Sequence, residues 1–188
     1  VCTDFMGLYK GHLPQGCGSI REMSGMFGVS RKMHARKSVE WYTPAWVFDE
    51  LGLQFDLDPA SPYDMESFVP ATTKYTVFDN GLQKEWFGRV WMNPPYGVDT
   101  SFWMRRFFDH NNGIAMVFSR TDASWCQEAM KKAKRTLFLS GRIDFVPGLE
   151  NEHKKGRSGA GTVMFACGEE CSEALWKLRD RGVFMEGV

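Results

Sequence analysis

Apolar and polar positions settle into recognisable periods only from about Trp41 onward. Residues 1–38 mix six glycines with scattered methionines and sustain no period, which predicts a basic, Gly/Met-rich arm over 1–38 and one folded domain over 39–188. Thr43-Pro44 predicts a helix start. The threonine hydroxyl would cap, and the proline, with its fixed φ and missing N–H, would take the first helical position. Gly52 then stops the helix after Leu51. Residues 53–57 read as a short strand ending at Asp58-Pro59. Residues 61–75, punctuated by proline and threonine, read as loop. Residues 76–78 read as strand, closed by the turn signal Asp79-Asn80-Gly81.

The second half is more regular. Residues 89–92 predict a strand running into Asn93-Pro94-Pro95-Tyr96-Gly97. Residues 101–109 predict a helix, 113–118 a buried strand, and 124–135 a helix with Trp125, Cys126, Ala129, Met130 and Ala133 at helical spacing. Residues 136–139 and 162–167 read as strands, expected antiparallel and joined by a long loop over 141–161. A last helix over 172–181 stops at Gly182. Strand–helix alternation of this kind predicts an α/β layered fold, its sheet mostly parallel, with helices on both faces and an antiparallel strand pair near the C-terminus. Ligands of such sheets sit outside the carboxyl ends of the strands. Three of those ends carry polar residues here: Asp56 and Asp58, Asp79, and Asn93.

Composition bounds the rest. At 188 residues and 43% hydrophobic, the chain can bury one real core, which excludes wholesale disorder. No run approaches the roughly 18 apolar residues of a membrane helix, and no secretory signal is expected at the start. Five widely spaced cysteines argue against a disulfide framework, and Cys167 and Cys171 lack the second pair that structural zinc needs, so no metal is expected. The 23 basic and 23 acidic residues balance, but not evenly along the chain. Residues 1–38 carry six basic and two acidic, 39–100 three and ten, and 120–160 nine and five. An acidic block between basic ones suits a protein with two different ligands.

The residues richest in chemistry are Asn93-Pro94-Pro95-Tyr96. Two prolines remove two N–H donors and fix two φ angles, so the carbonyl of Pro94 projects from a stiff loop. Asn93 sets a side-chain carbonyl beside it, and Tyr96 adds a flat ring that can stack on a base. Two acceptors and one stacking face make a receptor for a planar amine. The amino nitrogen of adenine is a poor nucleophile because its lone pair is delocalised into the ring. Acceptors that hold both N–H bonds draw it towards tetrahedral geometry and stabilise the charge that develops as it attacks a methyl.

On these residues the chain resembles the small phage and prophage DNA N6-adenine methyltransferases. The matching stretches are Trp41-Tyr42-Thr43-Pro44, Phe55-Asp56-Leu57-Asp58-Pro59-Ala60, Asp79-Asn80-Gly81-Leu82, Trp91 to Gly97, Ser119-Arg120-Thr121-Asp122 and Ser140-Gly141-Arg142-Ile143-Asp144-Phe145. The resemblance implies a Rossmann-like class I methyltransferase fold over 39–188 and S-adenosylmethionine as methyl donor. It implies cofactor contacts from Trp41, Thr43, Pro44, Asp56, Asp58, Pro59, Ala60, Asp79 and Asn93, with the catalytic loop at Asn93, Pro94, Pro95 and Tyr96. The usual glycine-rich turn after the first strand is replaced by Asp58-Pro59-Ala60-Ser61. Double-stranded DNA is the expected substrate, reached by base flipping, with Arg120, Arg142, Lys154, Lys155 and Arg157 facing phosphates. The expectation extends to a monomer or weak dimer in the cytoplasm of a bacterial or phage-infected cell. The same loop also serves methyl transfer to RNA adenine or protein glutamine, and a catalytically silent nucleic-acid-binding module could keep the fold.

Overall fold

The computed structural model describes residues 41–64, 66–149 and 156–187. In chain order the elements are β1 (Trp41–Tyr42), α1 (Ala45–Leu51), β2 (Phe55–Asp58), β3 (Ala71–Lys74), β4 (Val90–Met92), α2 (Thr100–His110), β5 (Gly113–Phe118), α3 (Ser124–Lys132), β6 (Arg135–Leu139), β7 (Val146–Pro147), β8 (Thr162–Cys167), α4 (Glu169–Trp176), a 3-10 turn (Arg179–Arg181) and β9 (Gly182–Glu186). Seven strands form one mixed sheet in the order β3-β2-β4-β5-β8-β6-β9. The four from β3 to β5 run parallel. Strand β8 is antiparallel to β5 and β6, and β9 is antiparallel to β6, so the sheet is half antiparallel rather than mostly parallel, and its antiparallel part extends beyond the expected strand pair because β9 adds to β6.

Alternation along the strands sends side chains to two cores. Trp91, Ile114 and Met116 pack with Val47, Phe48 and Leu51 of α1 and with Cys171, Ala174 and Leu175 of α4. Val90, Met92, Ala115 and Val117 pack with Trp103, Met104 and Phe107 of α2 and with Cys126 and Ala129 of α3. Helices therefore cover both faces of the sheet, as the strand–helix alternation predicts. Trp91 is the largest fully buried side chain among the described residues. Its ring meets Phe48 edge-on at 4.8 Å and Phe55 at 5.7 Å, which ties α1, β4 and β2 together. Such ring pairs add about 0.5–1.5 kcal/mol each beyond the area they bury.

Helix α1 ends as expected, on Gly52 with a left-handed φ of 56°. Lys177 Nζ donates to the Leu51 carbonyl at 2.9 Å, placing positive charge at the helix C-terminus. Its start differs from expectation. Pro44 is the N-cap, and no side chain caps the helix, because proline at that position carries no acceptor; the Thr43 hydroxyl, one residue earlier, accepts from Asn93 instead.

Four other segments depart from the sequence pattern. Residues 76–78 are turn rather than strand, and the strand lies earlier, at Ala71–Lys74. That strand sits at the sheet edge and is only half buried, so it carries no apolar alternation to reveal it. The last helix begins at Glu169, with Glu169 and Glu170 in its first turn facing the positive end of its dipole. Residues 182–186 form β9, a strand to which the sequence pattern assigns no element. The stretch 141–161 is not one open loop. Phe145 N donates to Gly156 O at 2.8 Å and Ser158 N to Ile143 O at 3.0 Å, so its two limbs pair. Strand β7 continues from the first limb and pairs antiparallel with β1. Asp64 fastens this small sheet, accepting from the Tyr42 hydroxyl and from Leu149 N.

Candidate active site at the carboxyl edge

Strand β4 ends in the middle of the parallel run, and the chain leaves the sheet as Asn93-Pro94-Pro95-Tyr96-Gly97. Trp91 points to the α1 face, so Asn93, next in the alternation, emerges on the same side. There it meets Thr43, which β1 delivers just ahead of α1. Asn93 Nδ2 donates to Thr43 Oγ1 at 3.3 Å, and the Tyr96 hydroxyl donates to Asn93 Oδ1 at 2.9 Å. The carboxamide is thus held at both ends. Among the described residues no backbone N–H reaches the Pro94 carbonyl.

The Tyr96 ring lies flat on Phe118, the last residue of β5, with centroids 3.7 Å apart and planes within 7°. Tyr96 leaves 37% of its surface in solvent, yet its hydroxyl is turned towards Asn93. Burial there pushes the phenol well above its ordinary range and keeps it a proton donor. Beside the ring is a cavity of about 350 Å³, lined by Tyr96, Gly97, Thr100, Phe118, Arg120 and Trp125. Three aromatic rings and one guanidinium suit a flat, anionic ligand such as a nucleotide.

The neighbouring strand end is acidic. Asp58 closes β2 with only 2% of its surface exposed. Desolvation by burial pushes its carboxyl up to about 7, against smaller opposing effects of the Ala60 N–H, Ser61 and Lys74. Ala60 N donates to Asp58 Oδ1 at 3.1 Å. The Asp79 turn folds against this end: any side chain at Gly81 would collide with the Pro59 carbonyl. Asp79 Oδ2 accepts from Thr76 N at 2.9 Å and from the Thr76 hydroxyl at 3.1 Å, which holds its carboxyl below the usual range. Asp56 has a different setting. Its Oδ2 accepts from Arg89 N at 2.7 Å, locking the turn that opens β4.

A model of the family DNA N-6-adenine-methyltransferase (Dam) matches residues 30–174. The chain belongs to the Dam family. No curated protein and no solved structure matches it. The family match begins inside the basic segment that precedes Trp41 and runs into α4. It takes in every stretch on which the resemblance rests.

Of the residues expected at the site of this Dam-family chain, the structure brings together Thr43, Asn93 and Tyr96, and it sets Arg120 in the adjoining cavity. Pro44 is buried at the head of α1, and Trp41 packs against the core beside it. Asp58, Pro59, Ala60 and Asp79 gather at the end of β2, apart from Asp56. Arg142 and Arg157 are exposed on the paired limbs of the long segment, where the backbones of Asp144 and Arg157 form an antiparallel β-bridge. Lys154 and Lys155 lie outside the described residues, as does the arm 1–38. Sequence reasoning misses Phe118 and Trp125. It assigns Phe118 to a buried strand and Trp125 to a helical core position. Phe118's one signal is its place as the final strand residue before Ser119-Arg120.

Proposed function

We propose that the chain transfers a methyl group from S-adenosylmethionine to the N6 amine of an adenine flipped out of double-stranded DNA. The observation that carries this reading is Asn93 at the carboxyl end of β4, followed by a stiff Pro-Pro step and an aromatic ring, in a chain of the Dam family. The strand order supports a Rossmann-like class I methyltransferase fold, with its parallel half next to an antiparallel C-terminal part.

The charge at the end of β2 fits the donor. A buried Asp58 whose carboxyl is pushed up to about 7 lacks a full countercharge, which a cationic ligand would supply. Asp58, Pro59, Ala60 and the Asp79 turn would hold the cofactor there, with Pro44 on the β4 side. When bound, S-adenosylmethionine supplies an electrophilic methyl on a sulfonium. Asn93 Oδ1 and the Pro94 carbonyl take the two N–H bonds of the amine. They direct its lone pair out of the base plane and share the positive charge that grows on nitrogen. Tyr96 stacks on the adenine, and Arg120 meets the adjoining phosphate.

The test is tritiated methyl transfer to unmethylated genomic DNA, RNA and protein in parallel, for the wild type and Asn93→Ala. Label should enter N6-methyladenine of DNA alone. Asn93→Ala should abolish turnover while calorimetry shows cofactor affinity kept within a few fold. Labelling confined to RNA or protein, or equal loss of turnover and cofactor binding, sinks the reading.

A further inference from the structure

We propose that Thr43 is a positioning residue for methyl transfer. It holds the Asn93 carboxamide with Oδ1 turned towards Tyr96 and the target amine. This inference rests on the reading of Asn93 as the amine receptor and adds a residue that acts through it.

An asparagine side chain ends in two groups of similar shape and opposite hydrogen-bonding sense. Free to rotate by half a turn, it would present an N–H donor to an amine that is itself a donor, and the receptor would repel its substrate. The target amine only donates, so it selects the sense with Oδ1 outward; what the fold must supply is the place and plane of the carboxamide. Thr43 Oγ1 stands 3.3 Å from Nδ2 and accepts its hydrogen. Thr43 is only 5% exposed, so water competes little for that contact. Its place is fixed from two sides. Upstream, Tyr42 pairs with Val146 in the β1–β7 sheet. Downstream, α1 is locked to β4 by the contact between Phe48 and Trp91.

The hydroxyl is also free of the role its position suggests. Threonine before proline at a helix start ordinarily caps the helix, yet no side chain caps α1. The contact to Asn93 accounts for a hydroxyl at 43 where helix capping does not.

The contact on Oδ1 marks the working face. The Tyr96 hydroxyl donates to it at 2.9 Å, which is the bond an amine N–H would make. The target amine displaces a donor of its own kind, and Nδ2 stays anchored to Thr43 throughout.

The experiment compares Thr43→Val, which keeps shape and removes the hydroxyl, with Thr43→Ser, which keeps the hydroxyl. Single-turnover and steady-state methylation of unmethylated genomic DNA are read alongside calorimetry with S-adenosylmethionine and thermal melting. Thr43→Val should lower kcat about 10- to 100-fold, the scale expected when a reacting group is misplaced. Cofactor Kd and the DNA KM should stay within about threefold, since neither contact is removed. Thr43→Ser should restore most of kcat. Loss of cofactor affinity in Thr43→Val with kcat kept at saturation overturns the proposal and makes Thr43 a cofactor contact. So does an unchanged kcat, or a Thr43→Ser enzyme as slow as Thr43→Val at equal thermal stability. A wild-type chain inactive on every adenine substrate would instead remove the underlying reading of Asn93, a separate outcome visible before any variant is made.

Discussion

Tyr96 spends its hydroxyl and one ring face on the protein itself, the first on Asn93 and the second on Phe118. On the proposed reading adenine takes the open ring face and displaces the hydroxyl from Asn93. The stacked contact is the stronger claim, since base–aromatic stacking contributes about 1–3 kcal/mol per base. The hydroxyl contact only replaces one donor with another. These two roles separate by substitution. Tyr96→Phe keeps the ring and frees Asn93 Oδ1, so kcat should stay within a few fold and the DNA KM should hold or fall. Tyr96→Ala removes the ring and should weaken productive DNA binding by about 1–3 kcal/mol. Steady-state kinetics on duplex DNA distinguish them. A Tyr96→Phe enzyme as impaired as Tyr96→Ala would assign the phenol proton a role in the reaction.

Short elements set these residues, and their legibility in the sequence follows the range of the forces that make them. The loop Asn93 to Tyr96 is legible because proline restricts its own backbone, whatever surrounds it. Strand β5 is legible as an unbroken buried apolar run, and the body of α2 because burial imposes a helical period. Strand β3 is not, because an edge strand of Ala-Thr-Thr-Lys has no core face to advertise. Nor is the partnership of Thr43 with Asn93, which joins residues 50 apart and exists only once α1 docks on β4. The state of Asp58 is hidden in the same way. Its sequence neighbours suggest a capping or cofactor carboxylate, whereas burial in the fold pushes it up to about 7. Its folded value lies above the ordinary 3.8, so the folded state binds the extra proton. Stability from this group is full below about pH 4 and declines as pH rises towards 7, where the buried carboxyl ionises. Asp58→Asn, which still accepts from Ala60 N, should melt higher than wild type at pH 8 and flatten the slope of Tm between pH 5 and 7. If Asp58 also meets the cationic cofactor, its ionised form is the binding form. Wild-type affinity should then rise from pH 6 to 7 and Asp58→Asn should lose that rise. Calorimetry showing the same pH dependence in both proteins would detach Asp58 from the cofactor.

At the scale of the whole molecule, the paired limbs of the segment after β6 connect two groups of residues that the sequence keeps apart. Arg142 and Arg157 stand exposed on those limbs, and the first limb leads through β7 into the pairing with β1, one residue from Thr43. A basic strip is thereby fastened to the strand that leads into Thr43, and on the proposed reading phosphate contacts there would place a nucleotide relative to Asn93. Arg120 stands closer, in the cavity beside Tyr96. The two positions predict different defects. Charge on the limbs acts by releasing counterions from the duplex, so its effect is uniform across sequences and graded by salt. Replacing Arg142 and Arg157 together by alanine should weaken binding to specific and unrelated duplexes alike. It should lower the slope of log K against log salt by about 1.8, close to 0.9 for each phosphate lost. Its kcat at saturating DNA should remain near wild type. Arg120→Ala should lower that slope by no more than about 0.9 but reduce kcat, because the flipped nucleotide loses its grip at the site. Fluorescence anisotropy from 50 to 200 mM salt, paired with saturating-DNA kinetics, reads both quantities. An unchanged slope in the double variant would take the limbs off the DNA, and a kcat loss there equal to that of Arg120→Ala would mean that the limbs instead shape the site through β1.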